Sequence, residues 1–211
     1  MLDLKRIADY GNAFLYFVIM ARSKKSKIYN LIFLIVIALL LIPQTRQPIQ
    51  VFINKGITLI VKPSVIDHSE RKILSSYDWE LRGISETNFD FNSAKEKVVV
   101  INFWATWCPP CIAEMPSMEE LYQNYKDNED VVFLFVSNEE VSVIEKFMSK
   151  KEYSFNVYQS VTEHPKEFNV SSIPRTFVIS KTGEIVIDKT GPADWNSDAV
   201  TNTIDELLKA F

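Results

Sequence analysis

The run VVVINF, Val98 to Phe103, constrains the fold of this chain more than any other stretch. It consists of β-branched and aromatic residues with one polar position, Asn102, and is bounded by charge at Lys97. Such a run suits a strand buried on both faces, in the middle of a sheet. The next residues are WATWCPPC, Trp104 to Cys111, which hold both cysteines of the 211-residue chain. After them, Ile112, Met115, Met118, Leu121, Tyr122 and Tyr125 follow spacings of three and four, so this segment is a helix with one apolar face. The cysteine pair thus joins a buried strand to the start of a helix.

The same reading extends to both sides. DWELRG and ETNFDFNSAKEK suggest two short strands and a turn, and VVFLFVS, Val131 to Ser137, a second buried strand. NEEVSVIEKFMSKKE is a helix with Asn138 as its expected cap, acids in its first turn and lysines in its last, as the helix dipole favours. FNVYQS is a short strand and EHPKEFNV a short helix or turn. RTFVIS and EIVIDKTG, separated by a turn at Lys181–Gly183, form an antiparallel hairpin. NSDAVTNTIDELLKAF closes the chain as a helix capped by Ser or Asp. Alternation of strand and helix gives a β-α-β unit with a parallel pair, then a hairpin. The expected fold is α/β, a mixed central sheet with helices on both faces, over residues 71–211.

Charge is distributed unevenly. No charged residue lies between Lys27 and Arg46, and Ile28 to Thr45 is rich in Ile and Leu. An uncharged apolar run of about 18 residues is a transmembrane candidate. Arg22, Lys24, Lys25 and Lys27 precede it, which places the N-terminal side in the cytoplasm. No small-residue cleavage pattern follows, so residues 28–45 are expected to be an uncleaved anchor. The expected layout is a cytoplasmic tail over 1–27, the anchor over 28–45, a juxtamembrane connector over 46–70 and the folded domain outside the cytoplasm, on a single-pass protein of the cell (inner) membrane. Translation from Met20 would give the normal layout of a signal anchor, with 1–19 outside the mature reading; a short cytoplasmic tail is the alternative. The formal net charge of −4 offers no basic excess for phosphates, so nucleic acid is not an expected partner.

Three chemistries compete for the cysteine pair. A metal needs four ligands, or three and water; only His68 and His164 are available besides the thiols, both distant in sequence. A structural staple across two intervening residues closes almost no loop and stabilises little. Redox chemistry suits the placement: Cys108 at a helix N-cap meets unpaired N–H groups and the positive dipole end, which stabilise a thiolate. Cys111 lies one turn on. Pro109 and Pro110 fit a first turn and withhold two N–H donors from the sulfur, an expectation that leans the pair toward reduction. Neither an organic cofactor nor a metal is required.

FWATWCPPC resembles the active-site sequence of the thioredoxin superfamily, in particular its membrane-anchored, TlpA-like and ResA-like thiol–disulfide oxidoreductases, over roughly Tyr77 to Phe211. The resemblance implies a thioredoxin fold with Cys108 and Cys111 as the catalytic pair. It also implies a cis bond at Ile173–Pro174, facing the pair and helping to bind substrate, a helix proline at Pro116 and the hairpin turn at Lys181–Gly183. Trp107 is expected to shield the pair and contact substrate, and Trp104 to belong to the core. Where thioredoxins carry a buried Asp, this chain has Asn102, which cannot titrate. Glu114 is a common acid of the TlpA-like branch, and is either a proton handler for Cys111 or a solvated helix residue. Arg175 either steers substrate or is plain surface.

The implied reaction is dithiol exchange with disulfide-bonded envelope proteins, reset by a membrane thiol reductase as electron donor. Two alternatives keep the fold: an oxidase that introduces disulfides, and a partner-binding module in cytochrome c maturation. A peroxide-reducing enzyme would carry Thr or Ser three residues before its cysteine; here that residue is Ala105.

Overall fold

The computed structural model describes residues 24–85 and 87–210. Two compact units divide between Gln47 and Pro48. In the first, helix α1 spans Lys24–Leu41. Most of its described apolar side chains are exposed, Tyr29, Phe33 and Leu34 most of all.

The anchor expected over 28–45 is corrected in one respect: it is not one helix. α1 ends at Leu41, and a second helix, α2, begins at Pro43 and runs to Thr58. Pro43 has no N–H to give Leu39, which an uninterrupted helix would require. The Leu39 carbonyl accepts the Thr45 hydroxyl instead. α1 also opens with three lysines, so its uncharged part from Ile28 to Leu41 is about 21 Å long at 1.5 Å per residue. No helix among the described residues is long and apolar enough to cross a membrane. The readings made for residues 1–23, including a start at Met20, lie outside the described residues.

In the second unit, seven strands form one sheet: β1 (Glu80–Gly83), β2 (Asn88–Asp90), β3 (Val98–Phe103), β4 (Val131–Val136), β5 (Val157–Ser160), β6 (Arg175–Ile179) and β7 (Ile185–Thr190), in the spatial order β2-β1-β5-β4-β3-β6-β7. β3 is central. It pairs parallel with β4, Val98 opposite Val131, and antiparallel with β6, Val100 opposite Val178. Helices α3 (Pro109–Tyr125) and α4 (Val141–Lys151) make the crossovers from β3 to β4 and from β4 to β5, and α5 (Asp198–Lys209) follows β7. This is the α/β thioredoxin fold, with a mixed sheet.

All six residues of β3 are buried. Because successive side chains point to opposite faces, Val98 and Val100 join one core, with Met115, Met118 and Leu121 of α3, Ile144 and Met148 of α4, and Val200 and Ile204 of α5. Val99, Ile101 and Phe103 join the other. That second core holds no buried residue of α3, α4 or α5. It is closed by Leu74 and Trp79 before β1, by the 3₁₀ turn Phe91–Ala94, and by Phe168 in the 161–174 loop. Helices on both faces, as expected from sequence, is therefore corrected: the three α-helices pack on one face, and aromatic loops cover the other. Two consecutive crossovers that step in one direction across a sheet, β3 to β4 to β5, place both helices on the same side.

Local chemistry sets the boundaries. Ser197 is the N-cap of α5, while α4 is capped by Glu140, not Asn138. The hairpin between β6 and β7 turns at Gly183, φ 82°, where a side chain would meet the Tyr77 hydroxyl 2.8 Å away.

Leu121 is fully buried between α3 and the sheet. Leu121→Ala is expected to cost about 2–5 kcal/mol of unfolding free energy. Val143→Ala, on the exposed side of α4, should stay within about 0.5 kcal/mol of the parent. Urea denaturation of the two variants checks the contrast.

Candidate active site

Cys108 is the N-cap of α3, in extended backbone (φ −88°, ψ 104°), with Pro109 and Pro110 in the first helical turn. Prolines are tolerated there because those N–H groups have no intrahelical partner. Cys108 and Cys111 form a disulfide, with Cα atoms 5.3 Å apart. The Cys111 N–H points at Cys108 Sγ, 3.3 Å away. Of all the donors at the start of α3, this one remains aimed at the sulfur. Cys108 is 3% exposed and Cys111 is 0% exposed.

The loop before β6 closes the other side. Ile173–Pro174 is a cis peptide bond. The Ile173 carbonyl oxygen lies 3.8 Å from Cys108 Sγ, and the Pro174 carbonyl accepts from Gly191 N–H at 2.9 Å. Residues 65 positions apart thus meet at one sulfur because β3 and β6 are neighbours in the sheet. Beside them is a cleft of about 280 Å³, lined by Trp104, Trp107, Val136, Glu139, Val170 and Ile173. Trp104 is buried, and Trp107 is 65% exposed.

Glu139, which the sequence did not single out, ties the loop down. Its carboxylate accepts from both the N–H and the hydroxyl of Thr106, each at 2.6 Å. Its backbone carbonyl accepts from Gln159 at 2.7 Å. Nothing in the local sequence marks Glu139, because Thr106 is 33 residues away.

Glu114, one turn past Cys111, is completely buried. The reading of a solvated helix residue is excluded. Its carboxyl accepts from Asn102 Nδ2 at 2.9 Å, Trp195 Nε1 at 3.0 Å and Ala193 N–H at 3.3 Å. Asn102 Nδ2 also reaches Thr176 Oγ1 at 2.7 Å. Burial pushes the Glu114 pKa up to about 8, because desolvation of the anion outweighs the three donors and the more distant Lys189. Asn102 Oδ1 is buried without a partner. Turning that amide over would let it accept from Thr176 and from a protonated Glu114, while leaving its Nδ2 donors in the unpartnered position. Trp195 and Thr176 are further members that sequence reasoning missed. No short-range motif marks either.

The remaining sequence candidates lie apart from the pair. Arg175 forms a two-pronged ion pair with Asp188, at 2.6 and 2.7 Å, over the Phe177 ring. His164 packs against Trp79 and Phe103 in the second core, and His68 lies 3.5 Å from Glu184.

The proton on Glu114 gives a pH signature. A carboxyl whose folded-state pKa is raised from 4.5 to about 8 contributes stability that is fully present below pH 4.5 and is lost as pH rises through 8. The loss approaches about 1.4 kcal/mol per pH unit within that window. Glu114→Gln mimics the neutral acid, so its stability relative to the parent should climb across the window and level off above it. Denaturant titrations at a series of pH values check this.

The comparisons agree with the geometry. The Redoxin family model matches residues 80–207. The chain is 34% identical over 110 residues to the thioredoxin-like protein YneN of Bacillus subtilis, covering 51% of this chain and 65% of that one. It is 33% identical over 114 residues to the thiol-disulfide oxidoreductase ResA of Oceanobacillus iheyensis, covering 51% and 59%. The chain thus spans less than two thirds of the length of either relative. A Bacteroides vulgatus crystal structure, described as a candidate thiol-disulfide oxidoreductase, superimposes with a TM-score of 0.50 at 29% identity, over 61% of this chain and 90% of that one. The match over 80–207 takes in the whole sheet, the cysteine pair and Pro174, and the chain belongs to the Redoxin family.

Proposed function

We propose that this chain is a thiol–disulfide oxidoreductase that reduces disulfides of envelope proteins, with Cys108 as nucleophile and Cys111 as resolving thiol. The observation that carries the reading is the cysteine pair at the N-terminus of α3, with the Ile173 carbonyl 3.8 Å from Cys108 Sγ. In the reduced enzyme, the Cys108 thiolate attacks one sulfur of a substrate disulfide. A mixed disulfide forms, and the other substrate sulfur leaves as a thiolate and takes up a proton. Cys111 then loses its proton and attacks Cys108 Sγ. This releases the second substrate thiol, so two electrons have passed to the substrate and the enzyme holds the disulfide described above. Substrate lies along Trp107, Ile173 and Pro174, where an extended segment pairs with exposed backbone beside the cleft. Glu114 handles the proton of Cys111: with its pKa pushed up to about 8 the carboxylate is a stronger base than an ordinary glutamate when ionised, and it holds its proton close to the thiol when neutral.

The N-terminal segment tethers the domain to the membrane. From Ile28 to Leu39, α1 exposes large apolar side chains among the described residues, and a helix of that kind needs an apolar surrounding. The lysines at 24, 25 and 27, with Arg22 before them, carry the positive charge that favours the cytoplasmic side. This places the folded domain, from about residue 71, outside the cytoplasm. There a membrane thiol reductase serves as electron donor.

Three measurements test the reading. Cys108→Ser should abolish reduction of a disulfide-bonded protein. Cys111→Ser should accumulate the mixed disulfide, visible on non-reducing gels. The potential of the pair, equilibrated in dithiol buffers, should fall near about −270 mV; a value near about −120 mV would overturn the reductase direction in favour of disulfide formation. The tether requires the full chain to pellet with membranes after alkaline carbonate extraction. Recovery in the supernatant would overturn it.

A further inference from the structure

The exit of α2 carries an apolar surface that thiol exchange does not use. Phe52, Leu59 and Ile60 are 79%, 81% and 82% exposed, and Ile53 and Ile57 stand out beside them. This is not a loose leash. Thr58 and Pro63 are buried. The Val61 carbonyl accepts from Asp194 N–H at 2.9 Å, and the Ile66 N–H donates to Val186 at 2.8 Å. The segment is fastened to the domain directly behind the exposed side chains. Between it and the active-site helix lies a cleft of about 690 Å³, whose walls include Phe52, Gly56 and Leu59 on one side and Ala113 and Pro116 on the other. Ala113 and Pro116 are two and five residues past Cys111.

A contiguous group of large apolar side chains in water marks a contact surface. Charge identifies what it contacts. No carboxylate occurs between Asp9 and Asp67, whereas Arg46, Lys55 and Lys62 flank the patch. Every other acidic residue but Asp3 lies at Asp67 or beyond. An anionic lipid surface therefore attracts this segment and repels the acidic domain behind it, which selects one orientation.

We infer that residues 49–60 form an interfacial seat on an anionic bilayer, with Phe52, Leu59 and Ile60 inserted at the boundary between headgroups and acyl chains. The inference rests on the membrane tether above, which brings the patch to within about ten residues of the end of α1. Its consequence is functional: α3 and its cysteine pair are held at the lipid surface in a fixed orientation, facing a membrane-embedded donor without a search by a swinging domain.

The test uses the full chain carrying Cys108→Ser and Cys111→Ser, with one nitroxide label per protein, in vesicles of phosphatidylcholine and phosphatidylglycerol. Labels at Leu34→Cys, Phe52→Cys and Ile60→Cys are expected to collide with oxygen in preference to a water-soluble nickel chelate. A label at Lys150→Cys, on exposed α4, should show the reverse. Lys55→Glu with Lys62→Glu should shift the labels at 52 and 60 toward the chelate. Labels at 52 and 60 that read as aqueous while the label at 34 reads as immersed would overturn the seat and leave the tether standing. An aqueous reading at 34 as well would overturn both. Labels at 52 and 60 shielded from both reagents would overturn the seat by assigning the patch to a protein contact.

Discussion

A single carboxyl group, that of Glu114, joins four segments of this protein. It is held by Asn102 from β3, and by Ala193 and Trp195 from the segment after β7, while Asn102 reaches on to Thr176 of β6. Its own helix, α3, begins at Cys108. A buried polar group of this kind is costly unless every neighbour is in register. The network therefore fixes α3 against the sheet at the level of the cysteine pair, and removing one member leaves the others unpaired in a dry interior. The same burial raises the Glu114 pKa, within one turn of Cys111.

Around that network, the redox centre is an assembly of parts from distant sequence. The helix N-terminus supplies the electrostatics that favour a thiolate. The loop at Ile173–Pro174 supplies a backbone wall, and the Glu139–Thr106 contacts hold the approach from β3 steady. Two prolines after Cys108 leave the Cys111 N–H as the remaining donor to the sulfur. A thiolate with fewer donors is a stronger nucleophile and a poorer leaving group.

Charge is divided along the chain. The residues before Asp67 are basic or uncharged, apart from Asp3 and Asp9, and the folded domain beyond is acidic. The two ends meet where Thr58 to Ile66 docks on the loops after β7 and on β7 itself. Residues fastened there are neither linker nor core, and their exposed neighbours lie beside the active-site helix.

Much of this was legible in the amino-acid order, because it depends on local rules. The apolar period of β3, the helical spacing after Cys111, the hairpin turn at Gly183 and the cap at Ser197 each need only a few neighbouring residues. The placement of Cys108 at an N-cap follows from the strand and helix on either side. Other features were not legible, for the same physical reason in each case: they depend on which strands become neighbours. Whether Glu114 faced solvent or the interior was decided by how α3 packs on β3 and against Trp195, 81 residues away. That α3 and α4 share one face follows from the direction of the two crossovers and not from any period in the sequence, and the packing of α5 beside them leaves the other face to aromatic loops. The break between α1 and α2 could be expected at Pro43, since proline lacks the N–H that helix continuation requires. The burial of a carboxyl beside a disulfide could not, since only the tertiary structure removes the water that would have kept it an ordinary acid.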